Sequence, residues 1–183
     1  AFGEHGEISH SVFVYDTTLR VPLIMAGPGV PALTVGHPVS LVDVAPTVLR
    51  LLGIAPFDSD GIDLAPALTG AALPARDLYA ESYAPLLDFG WSPLRALRSG
   101  GFKYIDAPRP ELYDTAGDPG EERDLTAADG PRSAALRDRV NRYPGATLEP
   151  GRLPVADREA IGRLQALGYA SGSHHGVSGA RPD

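Results

Sequence analysis

The sequence has no cysteine, which excludes a disulfide, a thiolate nucleophile and a zinc–thiolate site within its 183 residues. That absence leaves the compartment open, because many exported bacterial proteins lack cysteine too. Basic charge is also in short supply. Lys+Arg number 16 against 23 Asp+Glu, a formal net charge of −7. Such a chain has no basic footprint for phosphates, which argues against a DNA- or RNA-binding module. Lysine is nearly missing: Lys103 stands alone against fifteen Arg, and with much Ala, Gly and Pro this usage points to a GC-rich bacterial genome. No run of 18 apolar residues occurs, so no segment reads as a membrane-spanning helix. The chain opens Ala1-Phe2-Gly3-Glu4, with neither Met nor a signal peptide, and is expected to begin inside a longer protein.

What is present is enough for a globular core. Hydrophobic residues make up 43% of the chain, the ordinary level. Residues 20–26, apolar and closed by Gly27-Pro28-Gly29, read as a buried strand entered through Pro22. Residues 39–53 read as a packing helix, capped by Ser40 or Asp43, with Pro46 in its first turn and Gly53 as its stop. Residues 54–75 are loop, with Leu64 and Leu68 on one short turn. Residues 77–83 form a strand. An antiparallel meander follows: Leu94 to Arg98, a turn at Ser99-Gly100-Gly101, Phe102 to Ile105, then Glu111 to Asp114. A helix opens at Asp129-Gly130-Pro131 with Leu136, Val140 and Tyr143 on one face, and another is capped by Asp157 and stopped at Gly168. Residues 171–183 read as a mobile tail.

Chemistry has few candidates. There is no Gly-x-Ser-x-Gly elbow, no Walker loop and no dinucleotide fingerprint. His174 and His175 lie in the tail, and His37 precedes a proline. The informative cluster is Gly3-Glu4-His5-Gly6-Glu7-Ile8-Ser9-His10. Two His and two Glu in eight residues could ligate a metal, but the spacing does not suit one helical face and the glycines favour a loop. Trp91, the only Trp, sits in the Pro-flanked stretch Phe89-Gly90-Trp91-Ser92, where it could line a substrate entrance or simply pack.

Three stretches resemble the sulfatase family of the alkaline phosphatase superfamily, in the order that family shows them. The first is Phe2-Gly3-Glu4-His5-Gly6-Glu7-Ile8-Ser9-His10 with Tyr15-Asp16-Thr17-Thr18-Leu19-Arg20-Val21-Pro22-Leu23-Ile24. The second is Val42-Asp43-Val44-Ala45-Pro46-Thr47-Val48-Leu49 with Asp60-Gly61-Ile62-Asp63-Leu64. The third is Phe102-Lys103-Tyr104-Ile105 with Glu111-Leu112-Tyr113-Asp114 and Asp118-Pro119-Gly120-Glu121. Leu164-Gln165-Ala166-Leu167-Gly168-Tyr169 is similar to a bacterial sulfatase ending.

The resemblance implies an α/β fold: the C-terminal part of an alkaline-phosphatase-like sandwich, with a small antiparallel sheet plus helix subdomain. Residues 1–76 would finish the catalytic α/β domain and 77–143 would be the antiparallel subdomain. Residues 144–170 would be connector and terminal helix, and 171–183 the tail. It also implies sulfate ester hydrolysis with a divalent ion, usually Ca2+, and a formylglycine made from Cys/Ser-x-Pro-x-Arg. Neither that motif nor the acidic metal ligands occur here, so both are expected upstream and no ion is expected to be fully ligated by this chain. Ser92-Pro93-Leu94-Arg95 lacks the residue between Ser and Pro and is rejected as the nucleophile motif. His10 falls where the family places a Lys or His that contacts sulfate, so a catalytic role is carried to it, while His5 reads as a tie between loop and core. Trp91 is the candidate for substrate contact. The expected partner is a sulfated small molecule or glycan, not nucleic acid, and the isolated chain is expected to self-associate and to be inactive alone. Family members of this type are commonly exported, so the resemblance implies a periplasmic, membrane-anchored or secreted parent, while the localisation of this chain stays unknown. Phosphate ester hydrolysis or phosphoryl transfer within the superfamily, and a non-catalytic binding module, stay open as alternatives.

Overall fold

In the computed structural model of the chain, the structure describes residues 2–8, 10 and 12–143. The expected connector, the helix capped by Asp157 and the tail with His174 and His175 lie outside the described residues.

The centre is a four-stranded sheet whose spatial order equals its chain order, β1 (Leu78–Ser82), β2 (Leu94–Ser99), β3 (Phe102–Asp106) and β4 (Glu111–Asp114), each pair antiparallel. The meander expected from the sequence is therefore present, with β1 as a fourth strand beside β2. Gly100 and Gly101 close the β2–β3 hairpin with φ of 56° and 85°. Two consecutive positive φ values match the twist of the flanking strands, and two glycines adopt them without a Cβ clash.

Alternation along the strands gives the sheet two apolar faces. Tyr79, Leu97, Tyr104 and Leu112 are cross-strand partners in one row. This row packs under Leu136 and Val140 of α4 (Gly130–Val140), with Tyr143 stacked on Tyr79 at 4.5 Å. Asp129 caps α4 by accepting from the Arg132 backbone N–H, and Pro131 occupies the first turn, where its missing N–H costs nothing. The opposite face, with Ala96, Ile105 and Tyr113, is covered by Val14 and Tyr15 from the N-terminal segment. Small Ala80 and Ala96 on that face make room for it. The covering segment ends in a single helical turn, α1 (Asp16–Leu19).

Two expectations need correction. Residues 20–26 belong to no strand, and they are largely exposed, Ile24 at 85%. A strand needs hydrogen-bonded neighbours, and none of the described residues supplies them. The helix at 39–53 forms as a 3-10 turn (Leu41–Asp43) running into α2 (Val44–Leu51), with Gly53 in the left-handed region beyond its end. Its buried residues, however, are Asp43, Pro46 and Thr47 rather than its leucines, and Leu51 and Leu52 face outward. A short helix the sequence reading missed, α3 (Ala84–Phe89), separates β1 from β2.

Candidate functional site

The loop at residues 3–10 begins with a 3-10 turn, Glu4–Gly6, closed by hydrogen bonds from Gly6 N to Gly3 O (3.1 Å) and from Gly3 N to Glu7 O (2.9 Å). His5 has φ 52°, a conformation uncommon for a residue with a Cβ. Its ring is held on two sides. It stacks on Tyr15 with 3.7 Å between centroids, and Nε2 lies 3.0 Å from the Gly120 carbonyl oxygen. His5 thus ties the loop to the body of the protein, as the sequence reading expected. Glu7 is buried and spends its carboxylate on the chain that follows, accepting from Val12 N (2.9 Å), Phe13 N (3.3 Å) and Thr18 Oγ1 (3.4 Å). His10 is exposed, in the stretch between the 3-10 turn and Val12.

Under this loop lies a buried ionic cluster that sequence reasoning did not find. Lys103, 1% exposed, places Nζ 2.9 Å from Asp16 and 2.8 Å from Glu121, while Arg98 reaches Asp16 at 2.7 Å. Glu121 also accepts the Asp16 backbone N–H at 2.5 Å. Two cations meet two carboxylates, so the cluster is neutral, and each buried charge has an opposite partner. Glu121 ends the turn Asp118-Pro119-Gly120-Glu121. Hydrogen bonds from the backbone N–H groups of Arg123 and Glu122 hold the Asp118 carboxyl below the usual carboxylate range.

Beside the cluster, the hydroxyls of Tyr15 and Tyr113 both donate to one oxygen of Glu111, each at 2.8 Å. Burial, and then the hydrogen bond to this carboxylate, push both phenols well above the ordinary tyrosine range. Below about pH 10 both folded and unfolded chains keep these protons; above it the unfolded chain releases them first, so stability falls as pH rises. Unfolding free energy measured by denaturant titration is expected to decline above about pH 10, less steeply in Tyr113→Phe. An equal decline in that variant would count against the coupling.

The second motif serves structure. Asp43 is fully buried and accepts from Ser40 N (2.8 Å) and Ile62 N (2.9 Å), and it pairs with Arg76. Thr47 Oγ1 donates to the Asp43 carbonyl (2.6 Å) and accepts from Leu64 N (2.9 Å). The motif therefore staples the start of α2 to residues 62–64. Gly61 is required because a Cβ there would sit 2.0 Å from the Val42 carbonyl oxygen. Asp43 does not cap α2 with its own side chain; it is the third-position partner of a capping box whose cap is Ser40.

Trp91 is 58% exposed and stacks on Phe89 at 4.8 Å, just past α3. Its backbone N–H bonds to Pro85 O at 2.9 Å. The pair forms an outward aromatic surface rather than a piece of core. Among the described residues, no three His, Asp or Glu side chains converge so as to hold a metal ion. The acidic groups of the 3–10 loop show why: Glu4 accepts the Phe2 N–H, and Glu7 is committed to Val12, Phe13 and Thr18. The described residues thus do not fit the divalent ion that the resemblance implies. No described helix is long and apolar enough to cross a membrane.

No protein-family model matches the sequence. Individual relatives do. The chain is 33% identical over 130 residues to a Delta 4,5-hexuronate-2-O-sulfatase of Bacteroides thetaiotaomicron, a match covering 66% of this chain and 27% of that protein. It is 38% identical over 129 residues to a choline-sulfatase of Rhizobium meliloti, covering 64% of this chain and 23% of that one. Among solved structures, a phosphonate monoester hydrolase from Silicibacter pomeroyi superposes with a TM-score of 0.59 at 27% identity, over 72% of this chain and 30% of that one. The fold and these likenesses place the chain among the sulfatase-like hydrolases of the alkaline phosphatase superfamily, to whose C-terminal portion it corresponds. It spans about a quarter of the length of the curated relatives it matches.

Proposed function

We propose that this chain is the C-terminal portion of a hydrolase that cleaves sulfate esters. The observation that carries the reading is the 33–38% identity to sulfatases across about two thirds of the chain. In this reading the nucleophile, a formylglycine, and the divalent ion are supplied by residues outside the chain. The described residues contribute one wall of the site. Residues 1–76 complete the catalytic domain and 77–143 form the C-terminal subdomain. His10 contacts the sulfate and, as imidazolium, donates a proton to the leaving alcohol, whose oxygen gains negative charge as the S–O bond breaks. Trp91 offers its exposed face to the substrate beyond the sulfate. The natural substrate is then a sulfated small molecule or glycan.

The chain by itself is expected to turn over no ester, and its exposed apolar residues are expected to drive self-association. Val21, Leu23, Ile24, Leu51 and Leu52 are all exposed, more than scattered surface positions require. Sedimentation of the isolated chain is expected to show dimers or larger species, and a monomer persisting at high concentration would count against this.

A second reading has its own support, because a phosphonate monoester hydrolase shares this fold at a TM-score of 0.59. The deciding experiment assays the protein that carries this chain together with its nucleophile-bearing region, on an aryl sulfate and on an aryl phosphonate monoester. Preference for the sulfate supports the first reading. Preference for the phosphonate moves the assignment to phosphorus esters, and inertness toward both favours a non-catalytic module.

A further inference from the structure

Only two non-glycine residues among those described have a left-handed backbone, His5 with φ 52° and Glu121 with φ 55°. They lie 116 positions apart in sequence and belong to one contact. His5 is held by Tyr15, through ring stacking, and by the Gly120 carbonyl. Tyr15 is the neighbour of Asp16, and Gly120 is the neighbour of Glu121. The hydrogen bond from Asp16 N–H to Glu121 Oε2 therefore joins the two segments that grip the imidazole. The carboxylate's other oxygen lies 2.8 Å from Lys103 Nζ on β3, an ion pair without hydrogen-bond geometry. Strained backbone persists where surrounding contacts over-determine it, and here both strained residues face the same junction.

We infer that Glu121 is a positioning residue that locks the Glu4–Gly6 turn onto the C-terminal sheet. Its effect on turnover rests on the function proposed above for the segment carrying His10. Glu121 touches no reacting group in this assignment. It sets the direction of the Gly120 carbonyl and of Tyr15, and through them the orientation of His5. An unlocked turn would leave the sheet intact, because β1–β4 and α4 pack through Leu97, Tyr104, Leu112, Leu136 and Val140 without it.

Amide hydrogen exchange and the His5 ring resonances, read by NMR on the full 183-residue chain, test this. In Glu121→Ala, the Gly6 and Glu7 amides should exchange at least about tenfold faster while Leu97 and Tyr104 keep their protection. The His5 ring signals should also lose the displacement caused by stacking on Tyr15. Unchanged Gly6 and Glu7 exchange in the folded variant overturns the assignment. If Glu121→Ala also exposes the sheet, the Lys103→Met/Glu121→Ala double variant removes the lysine left with one partner. Restored sheet protection with a fast turn supports the inference, and a protected turn overturns it. Loss of the sheet in both variants would make Glu121 a support of the whole fold and overturns it as well. None of these readouts depends on sulfate hydrolysis. A failed role for His10 would appear separately, as full turnover in His10→Ala beside an intact exchange result.

Discussion

Replacing Lys103 by Met is expected to cost the chain about 3–5 kcal/mol of folding stability, enough to unfold a marginal domain. Met keeps most of the volume and the apolar stem, so a packing defect contributes little. What changes is charge. Glu121 is 1% exposed and loses the one cation it has among the described residues, while Asp16 keeps Arg98. A buried carboxylate left without a counter-charge carries its desolvation cost uncompensated. By contrast, breaking the exposed Arg132–Asp129 pair by Asp129→Asn is expected to shift the midpoint far less, because water screens that pair. Urea titration checks both, read as a shift in midpoint at constant slope. Pairing Lys103→Met with Glu121→Gln is expected to restore part of the loss. A single-variant loss below about 1 kcal/mol would mean that water reaches the cluster and screens it.

The second large effect is on chemistry. In the protein that carries this chain with its nucleophile, His10→Ala is expected to lower kcat/KM for a sulfate ester by about 10²- to 10⁴-fold. Leaving-group alkoxide is a poor leaving group, and a placed proton donor removes that obstacle in the transition state. His10→Lys should retain much of the activity, because an ammonium can also contact the sulfate and donate a proton. An ester with an activated leaving group should be less affected by His10→Ala than one with an alkyl alcohol. Equal rates for wild type and His10→Ala on the alkyl ester would remove His10 from the mechanism.

Much of the sheet and α4 was legible because their signals are local. Strand alternation, the Gly100-Gly101 turn and the Asp129 cap each act within a few residues, and the meander and α4 form where they place them. Helix α3 was missed because six residues containing Pro85 carry too little periodicity to stand out from a loop. Residues 20–26 misled for a different reason. An apolar run looks the same whether or not neighbouring strands are at hand to pair with it, and only the structure shows that the described residues provide none. The ionic cluster was hidden by distance, since Asp16 and Lys103 are 87 residues apart. One clue was available: the single lysine of the chain stands two residues from Ile105 on an alternating strand, hence on its inward face. Within the stretches that resemble the family, the structure gives His5, Asp16, Asp43, Gly61, Lys103 and Glu121 a joining role.

The order of the sheet has a consequence for how the chain acquires its shape. Every strand pairs with the next one along the chain, and α4 follows β4 to close the same core. Such neighbours find each other quickly, because little chain must be looped to bring them together. The N-terminal segment is the opposite case, since Asp16 waits for Lys103 and His5 for Gly120, 115 residues away. The meander and α4 should therefore assemble early, and residues 2–18 should dock last onto a finished surface. The same segment should be the first to lift away under mild denaturant, so the loop that bears His10 belongs to the most easily released layer of the molecule.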